Sequence, residues 1–310
     1  MIREDFQFES RDNLTKLHAV RWIPDDKKPK YILQIVHGMA EHVDRYEAFA
    51  EYMTGKGIMV TAEDHLGHGK SITDKGPGFF CKQDPATVIV RDVHRLKKMN
   101  QEAYPGVPYF ILGHSMGSYM LRNYLCRYGK GIDGAIIMGT GMEPKFRVLG
   151  LKAIIAVSSL FGKYSKPCKL ADKAATGAYL KRIKDPRTPF DWLTKDPEIV
   201  DKYIADPICG FTFTGNGFKT LAETIWRLYK DSYISKMPVT LRTFIISGTE
   251  DPVGNYGAGP KKVYDTFIAQ GMQRVKMKLY EGDRHELLNE TDKETVYEDI
   301  YNWIVGDADE

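Results

Sequence analysis

A pentapeptide between a short apolar run and a helical pattern leaves this chain few ways to fold. The run PYFIL ends at Leu112, the sequence GHSMG occupies residues 113–117, and SYMLRNYLCRY continues it as a helical pattern. A serine in a tight strand-to-helix turn keeps its hydroxyl exposed, while the strand and the helix approach each other at the two flanking positions, where only small residues fit. The pattern therefore predicts that Ser115 is a nucleophile on such a turn.

Short β-rich runs alternate with longer helical patterns along most of the chain. Asp84-Pro85 predicts the start of one helix, and Thr291-x-x-Glu294 predicts a capping box at the start of another. An antiparallel hairpin is expected to open the chain, and the later strand candidates are residues 31–36, 58–62, 109–112, 134–138, 241–247 and 275–280. Repeated β-then-α order predicts an α/β fold with a doubly wound, mostly parallel sheet.

The alternation is interrupted between residues 141 and 236. This segment has few strand signals, its prolines recur, and its 17 Lys+Arg against 10 Asp+Glu give it a charge of +7. Because the sheet needs strands from both sides of it, we interpret the segment as a helical insertion. The expected division is a core of residues 1–140 and 237–310 with a cap of residues 141–236.

A serine nucleophile needs a base and an orienting acid, which follow it in the chain order Ser, Asp or Glu, His in this architecture. His285 follows the strand candidate 275–280 and is the last histidine of the chain, and Asp251 follows 241–247. Both loops leave the carboxyl end of a strand, the edge where functional loops gather in open α/β sheets. We predict that His285 is the base and Asp251 the acid, with Glu250 as the local alternative and Asp283 as a solvated loop charge.

The oxyanion of an acyl-transfer intermediate needs two amide donors. The amide of Met116 lies at the predicted helix N-terminus, which favours negative charge. The second donor is expected on the loop after an early strand, and HGMAEH at residues 37–42 is such a loop. We predict the amide of Met39 for this role, because Gly38 permits a tight turn before it.

Four histidines near this loop could be mistaken for metal ligands. His37, His42, His65 and His68 have no Cys or carboxylate at a spacing that zinc sites use, so we expect them to hydrogen-bond loop backbone. Gly67-His68-Gly69 matches a phosphate-binding loop only weakly. The sequence therefore predicts neither a metal nor a cofactor.

Charge and cysteine content restrict the compartment and the partners. A formal net charge of +3 over 310 residues is too balanced for a protein organised around nucleic-acid phosphates. The four cysteines lie more than 40 residues apart, which favours neither a disulfide framework nor a zinc-thiolate site. With no signal-peptide pattern in MIREDFQFES, we expect a cytoplasmic protein without a nucleic-acid partner.

Taken as a set, several motifs resemble those of the monoacylglycerol lipase and lysophospholipase group of α/β-hydrolases, which is related to the serine aminopeptidase-type hydrolases. The motifs are HGMAEH, DHLGHGKS, GHSMG, SGTEDPV and the late DRH. The resemblance covers about residues 1–140 and 237–310 and implies an α/β-hydrolase fold with a helical cap at 141–236. It implies the same roles for Ser115, Asp251, His285 and the amides of Met39 and Met116.

An apolar segment of the insertion suggests where an acyl chain binds. Residues 148–157 read VLGLKAIIAV between basic residues, and Ile154 and Ile155 are candidate substrate contacts. The apolar side of such a helix could also rest on a lipid surface while lysines meet anionic head groups, and simple packing onto the core is the equal alternative.

Several functions are compatible with these motifs. The leading hypothesis is a serine hydrolase that cleaves small-molecule esters with a fatty acyl chain, such as monoacylglycerols or lysophospholipids. The alternatives are a short-chain or aryl carboxylesterase, an aminopeptidase or amidase, and a non-catalytic binding protein of the same fold. The positive charge of the insertion disfavours a peptidase, which would offer carboxylates to a free amine, and a complete set of triad residues disfavours the binding protein.

Overall fold

The computed structural model, which describes residues 1–306, is built on one eight-stranded sheet. The strands are β1 (Ile2–Glu9), β2 (Lys16–Ile23), β3 (Tyr31–Val36), β4 (Ile58–Glu63), β5 (Tyr109–His114), β6 (Gly134–Met138), β7 (Arg242–Gly248) and β8 (Val275–Tyr280). Their order is β1-β2-β4-β3-β5-β6-β7-β8. The β1–β2 and β2–β4 pairs are antiparallel and the other five pairs are parallel, which confirms the predicted mostly parallel sheet and its opening hairpin.

Helices cover both faces of the sheet. They are α1 (Glu47–Gly55), α2 (Pro85–Ala103), α3 (Met116–Tyr128), α4 (Lys145–Leu160), α5 (Lys169–Thr176), α6 (Pro197–Ala205), α7 (Gly215–Arg227), α8 (Asp231–Ile234), α9 (Ala258–Ala269) and α10 (Lys293–Val305). Apolar residues of α1 and α10 join one buried cluster, and those of α2, α3 and α9 join the other. The sheet therefore has an apolar core on each side, as its doubly covered central strands require.

Two predicted helix starts have different outcomes. Pro85 is the first residue of α2, as predicted, but the carboxylate of Asp84 accepts a hydrogen bond from Arg227 at 2.8 Å and does not cap the helix. The capping box expected at Thr291 is wrong, because α10 begins at Lys293 with Asp292 at the N-cap and without a side-chain cap. Because the helix begins one residue later than predicted, Thr291 is no longer at the N-cap, the position from which a hydroxyl reaches the third helical amide.

Helices α4 to α8 all lie between β6 and β7 in the chain. Hydrogen bonds join this stretch to the loop after β3, where the amide of Gly210 and the hydroxyl of Tyr203 both donate to the carbonyl of Ala40, at 3.0 Å each. Others join it to the loop after β8, where the amide of Glu286 donates to the carbonyl of Leu193 at 2.7 Å. The segment thus lies over the carboxyl ends of the parallel strands. No helix within residues 1–306 is both long and apolar enough to cross a bilayer.

Candidate active site

Ser115 lies between the end of β5 and the start of α3 in a strained backbone conformation, with φ 54° and ψ −119°. The two glycines of the pentapeptide explain why this turn is possible. A Cβ on Gly117 would lie 1.9 Å from the carbonyl oxygen of Val36, and a Cβ on Gly113 would lie 2.5 Å from the carbonyl oxygen of Gly117. The strand and the helix therefore approach each other as closely as the spacing of the pattern requires, and no larger residue fits at either position.

The loops after β7 and β8 bring Asp251 and His285 together. The Nδ1 atom of His285 lies 3.0 Å from Oδ1 of Asp251, and both side chains are buried. The same carboxylate accepts hydrogen bonds from the amide of Val253 at 2.8 Å and the hydroxyl of Ser247 at 3.2 Å. Burial opposes ionisation, but the charge interaction and hydrogen bond with His285 outweigh it and lower the pKa of Asp251. The carboxylate is therefore ionised at neutral pH and can orient the imidazole.

The two other acids near this pair have different surroundings. The side chain of Glu250 is 57% exposed and lies 3.9 Å from the guanidinium of Arg284. Asp283 is fully buried and its carboxylate lies 2.7 Å from Nζ of Lys195, so its interpretation as a solvated charge is wrong. The reason is tertiary, because the stretch between β6 and β7 places Lys195 over the loop. Neither acid contacts His285 through its side chain in the described residues.

Two free backbone amides lie beside Ser115. Those of Met39 and Met116 donate no hydrogen bond to any residue in the described range, and both residues line the same cavity as Ser115 and His285. Gly38 was predicted to permit a tight turn, but the residue of this loop with a left-handed φ, 54°, is Ala40. A Cβ on Gly38 would instead lie 2.6 Å from Oε1 of Glu41. Glycine is therefore needed here for close approach.

A buried ionic network under this loop was not found by sequence reasoning. Arg45 donates to Glu41 at 2.8 Å and holds Glu286 through two hydrogen bonds, at 2.7 and 2.6 Å. Glu41 also accepts from the amide of Gly38 and lies 3.1 Å from Nδ1 of His114. Burial opposes its ionisation, but the bond to His114 and the charges of His114 and Arg45 hold the pKa of Glu41 well below its usual range. In the sequence, the i, i+4 spacing of Glu41 and Arg45 was the one feature that could have indicated an ion pair here.

Three of the four candidate histidines bond loop backbone as predicted. His37, His68 and His65 lie 2.8, 3.0 and 3.3 Å from the carbonyl oxygens of Gly38, Leu66 and His37, respectively. Burial is the main cause that lowers the pKa of His37 to about 3 and that of His65 to about 4, so both are neutral at pH 7.

The fourth histidine departs from the prediction. The Nε2 atom of His42 lies 2.8 Å from the carboxylate of Asp206, and Cys209 joins them, with the three potential ligand atoms within 4.8 Å of one another. This group could hold a metal ion, but the His42–Asp206 hydrogen bond and the amide of Ile208, which donates to Asp206 at 3.0 Å, already satisfy the carboxylate.

A cavity of about 1030 Å³ opens onto Ser115 and His285. Val148, Leu151 and Ile154 of α4 line one wall of it, and Leu221 and Ile225 of α7 contribute to the lining as well. Ile155 does not line the cavity, and its side chain packs in the apolar core. Of the two predicted contacts, Ile154 is therefore the one that lines the cavity, because it follows Val148 and Leu151 at the helical spacing i, i+3, i+6.

Comparisons with known proteins identify the family of this chain. Residues 27–292 match the model of the family described as serine aminopeptidase, S33 (Hydrolase_4). A monoacylglycerol lipase of Mycolicibacterium smegmatis is 26% identical over 288 residues, which cover 92% of this chain and 91% of the relative. The human monoglyceride lipase is 26% identical over 279 residues, which cover 89% of this chain and 82% of the relative.

A solved structure resembles this chain over nearly its whole length. A highly thermostable carboxyl esterase from Bacillus coagulans, crystallised in complex with glycerol, superposes with a TM-score of 0.90. It is 33% identical, and the match covers 99% of both chains.

Proposed function

Because the chain belongs to the serine aminopeptidase S33 family of α/β-hydrolases, we propose that it is a serine hydrolase that cleaves carboxylic esters with a fatty acyl chain. The observation that carries the proposal is the hydrogen bond between His285 and the buried Asp251, next to a cavity that both His285 and Ser115 line. The relatives named monoacylglycerol lipase and the carboxyl esterase support ester hydrolysis.

The proposed mechanism assigns one step to each residue. Ser115 Oγ attacks the ester carbonyl carbon while Nε2 of His285 takes the hydroxyl proton, and Asp251 stabilises the imidazolium. The amides of Met39 and Met116 bind the oxyanion. His285 then protonates the departing alcohol, which leaves an acyl-enzyme on Ser115. Water attacks this ester with His285 again as base, and the fatty acid leaves as Ser115 recovers its proton.

We assign the acyl chain to the wall formed by α4 and α7. Its side chains are apolar, and each methylene buried against such a surface contributes about 0.8 kcal/mol. In this proposal residues 141–236 act as a cap on a core of residues 1–140 and 237–310. Ile154 is the cap residue expected to touch the chain, since it lines the cavity.

The decisive experiment combines a covalent probe with a substrate series. A fluorophosphonate should label the intact protein and fail to label Ser115→Ala, with the probe mass recovered on the peptide that contains Ser115. The same preparation is then assayed with monoacylglycerols of increasing chain length, p-nitrophenyl esters and amino-acid anilides. Absence of labelling in the unmodified protein would favour a binding protein of this fold, and a maximum at acetate would favour a short-chain esterase.

One observation favours aminopeptidase activity as a second candidate. Asp172 lines the cavity, and its carboxylate has no hydrogen-bond or ionic partner among residues 1–306. A free carboxylate could bind the amino group of a peptide substrate. Burial raises the pKa of Asp172, however, and so disfavours its ionised form. Hydrolysis of the amino-acid anilides that is lost in Asp172→Asn would establish this function.

We also propose that the cap contacts a lipid surface. Exposed apolar side chains gather on it, with Leu160 85% and Phe161 78% exposed; the others are Phe146, Leu149, Val157 and Leu170. Exposed lysines lie near them in the chain, namely Lys145, Lys163, Lys166 and Lys169. An apolar patch with a basic rim fits an anionic membrane interface.

Vesicle sedimentation tests this contact. Vesicles that contain phosphatidylserine should carry the protein down more than phosphatidylcholine vesicles do. Leu160→Asp with Phe161→Asp should abolish the difference, whereas Ile268→Asp, at an exposed apolar position on α9, should retain it. Equal sedimentation of all three proteins would contradict the proposal.

A further inference from the structure

Trp192, a residue between β6 and β7, lies against the imidazole of His285. The two ring centroids are 5.1 Å apart with an interplanar angle of 43°. The indole also packs against Tyr179, with centroids 4.7 Å apart, and all three residues line the cavity. Within the described residues, the His285 ring has a second ring neighbour in His114, at 4.8 Å.

The segment that carries Trp192, residues 191–195, is bound to the loop that carries His285. Arg284 donates through Nη1 to the carbonyls of Asp191 and Thr194, at 2.6 and 3.1 Å. The amide of Glu286 donates to the carbonyl of Leu193 at 2.7 Å. We call residues 191–195 the strap.

Further bonds hold the far end of the strap. The amide of Lys195 and the hydroxyl of Thr194 donate to the carboxylate of Glu290, both at 3.0 Å. Nζ of Lys195 lies 2.7 Å from the buried carboxylate of Asp283. Contacts on both sides of Trp192 therefore fix its position relative to His285, so that the indole belongs to the same rigid unit as the loop.

The imidazole needs such support. Among residues 1–306 the imidazole forms one side-chain hydrogen bond, to Asp251, and a ring held by one nitrogen can still tilt about that bond. The hydroxyl of Ser115 makes no hydrogen bond with any residue in the range 1–306, so it does not hold the ring from the other side. Aromatic neighbours favour a defined tilt and distance, and they attract a cationic ring.

We propose that Trp192 is a positioning residue, which keeps the His285 imidazole in the orientation needed to take the proton of Ser115 and stabilises the imidazolium once it forms. The proposal rests on the proposed roles of Ser115 and His285. In this proposal the strap, which belongs to the cap, is necessary for the chemical step as well as for any contact that it makes with the substrate.

The experiment measures nucleophile activation without a long acyl chain, so that lost contacts between Trp192 and substrate do not interfere. The second-order rate constant for reaction with a small alkyl fluorophosphonate is compared among the unmodified protein, Trp192→Ala, Trp192→Phe and Trp226→Ala. Trp226 is a matched control, because it lies in the same insertion on α7 and packs against Tyr229.

We expect Trp192→Ala to react about 10- to 100-fold more slowly, the loss typical of a misplaced catalytic group. Trp192→Phe should recover most of the rate, and Trp226→Ala should match the unmodified protein. On a short ester the loss should appear in kcat, with KM changed less than about threefold. The low-field proton resonance of the His285–Asp251 hydrogen bond should broaden in Trp192→Ala and persist in Trp192→Phe.

Each outcome separates this proposal from the proposed function. If the unmodified protein does not react with the probe, the assignment of Ser115 and His285 fails and this inference with it. If it reacts, and Trp192→Ala reacts equally fast with the low-field resonance unchanged, the positioning role is wrong while the hydrolase assignment stands. If Trp192→Ala does not fold, Trp192→Leu, which keeps apolar volume without a ring, takes its place.

Discussion

Arg45 holds Glu286 through both of its terminal nitrogens, at 2.7 and 2.6 Å, although 241 residues separate the two in the chain. The side chains are 11% and 4% exposed. The pair joins the loop of Met39 to the loop of His285, because Arg45 also binds Glu41 and Glu286 is the next residue after His285. The oxyanion donor and the base are thus held together by one buried ionic network.

Arg45→Met should leave Glu41 and Glu286 buried without their cation. Breaking a buried pair from one side costs about 3–5 kcal/mol of unfolding free energy. Denaturant melts should show this loss, and kcat/KM should fall about 10- to 100-fold as the loops move. Arg3→Met, which removes more exposed surface ion pairs with Asp5, Asp44 and Glu47, is the control and should cost about 1 kcal/mol. Equal stability of the two variants would contradict the network's role.

Substitution of the proposed acid should separate it from its neighbours. Asp251→Asn removes the anion that orients His285 and should lower kcat at least ~10³-fold, similar to the effect of Ser115→Ala, because triad members act as a unit. Glu250→Gln, at an exposed side chain, should retain most of the activity. Asp283→Asn should act mainly on thermal stability, since that carboxylate pairs with Lys195. A larger kcat effect from Glu250→Gln would move the role to that residue.

Two adjacent isoleucines provide a matched test of the acyl wall. In the unmodified protein kcat/KM should rise several-fold for each added pair of methylenes until the cavity is full. Ile154→Asp should flatten this rise by placing a charge against the chain, while short esters keep most of their turnover. Ile155→Ala should leave the chain-length profile unchanged and lower the melting temperature, because its side chain is in the core. An unchanged profile in Ile154→Asp would exclude this wall.

Glu63 should make the protein less stable as pH rises. Burial raises the pKa of Glu63 to about 8 from its ordinary value of 4.5. Between these two values the folded state binds the proton and the unfolded state releases it, so unfolding free energy falls with pH by up to ~1.4 kcal/mol per unit. Glu63→Gln should reduce this slope between pH 5 and 8, whereas exposed Glu51→Gln should not. Parallel slopes in all three proteins would contradict the shift.

Activity should survive chelation. The proposed mechanism generates its nucleophile without a Lewis acid, and the group of His42, Asp206 and Cys209 already has internal hydrogen bonds. Turnover should therefore be the same before and after exhaustive EDTA treatment, with no gain on zinc addition. A metal would be assigned to this group if EDTA abolished turnover and zinc restored it, and if zinc failed to restore turnover in Cys209→Ala.

Several features of the fold and of the proposed site could be predicted because their causes are local. The elbow around Ser115 follows from sterics within a few residues, as the clashes that a Cβ would make at Gly113 and Gly117 demonstrate. Six strands were located to within about two residues, since apolar runs covered on both faces leave a direct trace in the sequence. The order of strands along the chain then placed Asp251 and His285 on loops at one edge of the sheet.

Tertiary structure decided the surroundings of each side chain, since contacts between distant segments leave no periodic signal. Asp283 became a buried ion-pair partner because Lys195, 88 residues away, lies over it. His42 bonds Asp206 across 164 residues. Ile154 and Ile155 share one helix and one chemistry, and the orientation in which α4 packs against α5 and α7 puts the first at the cavity and the second in the core. The sequence by itself determined which backbone conformations were possible, and packing between segments that are distant in the chain determined which charges and rings meet His285.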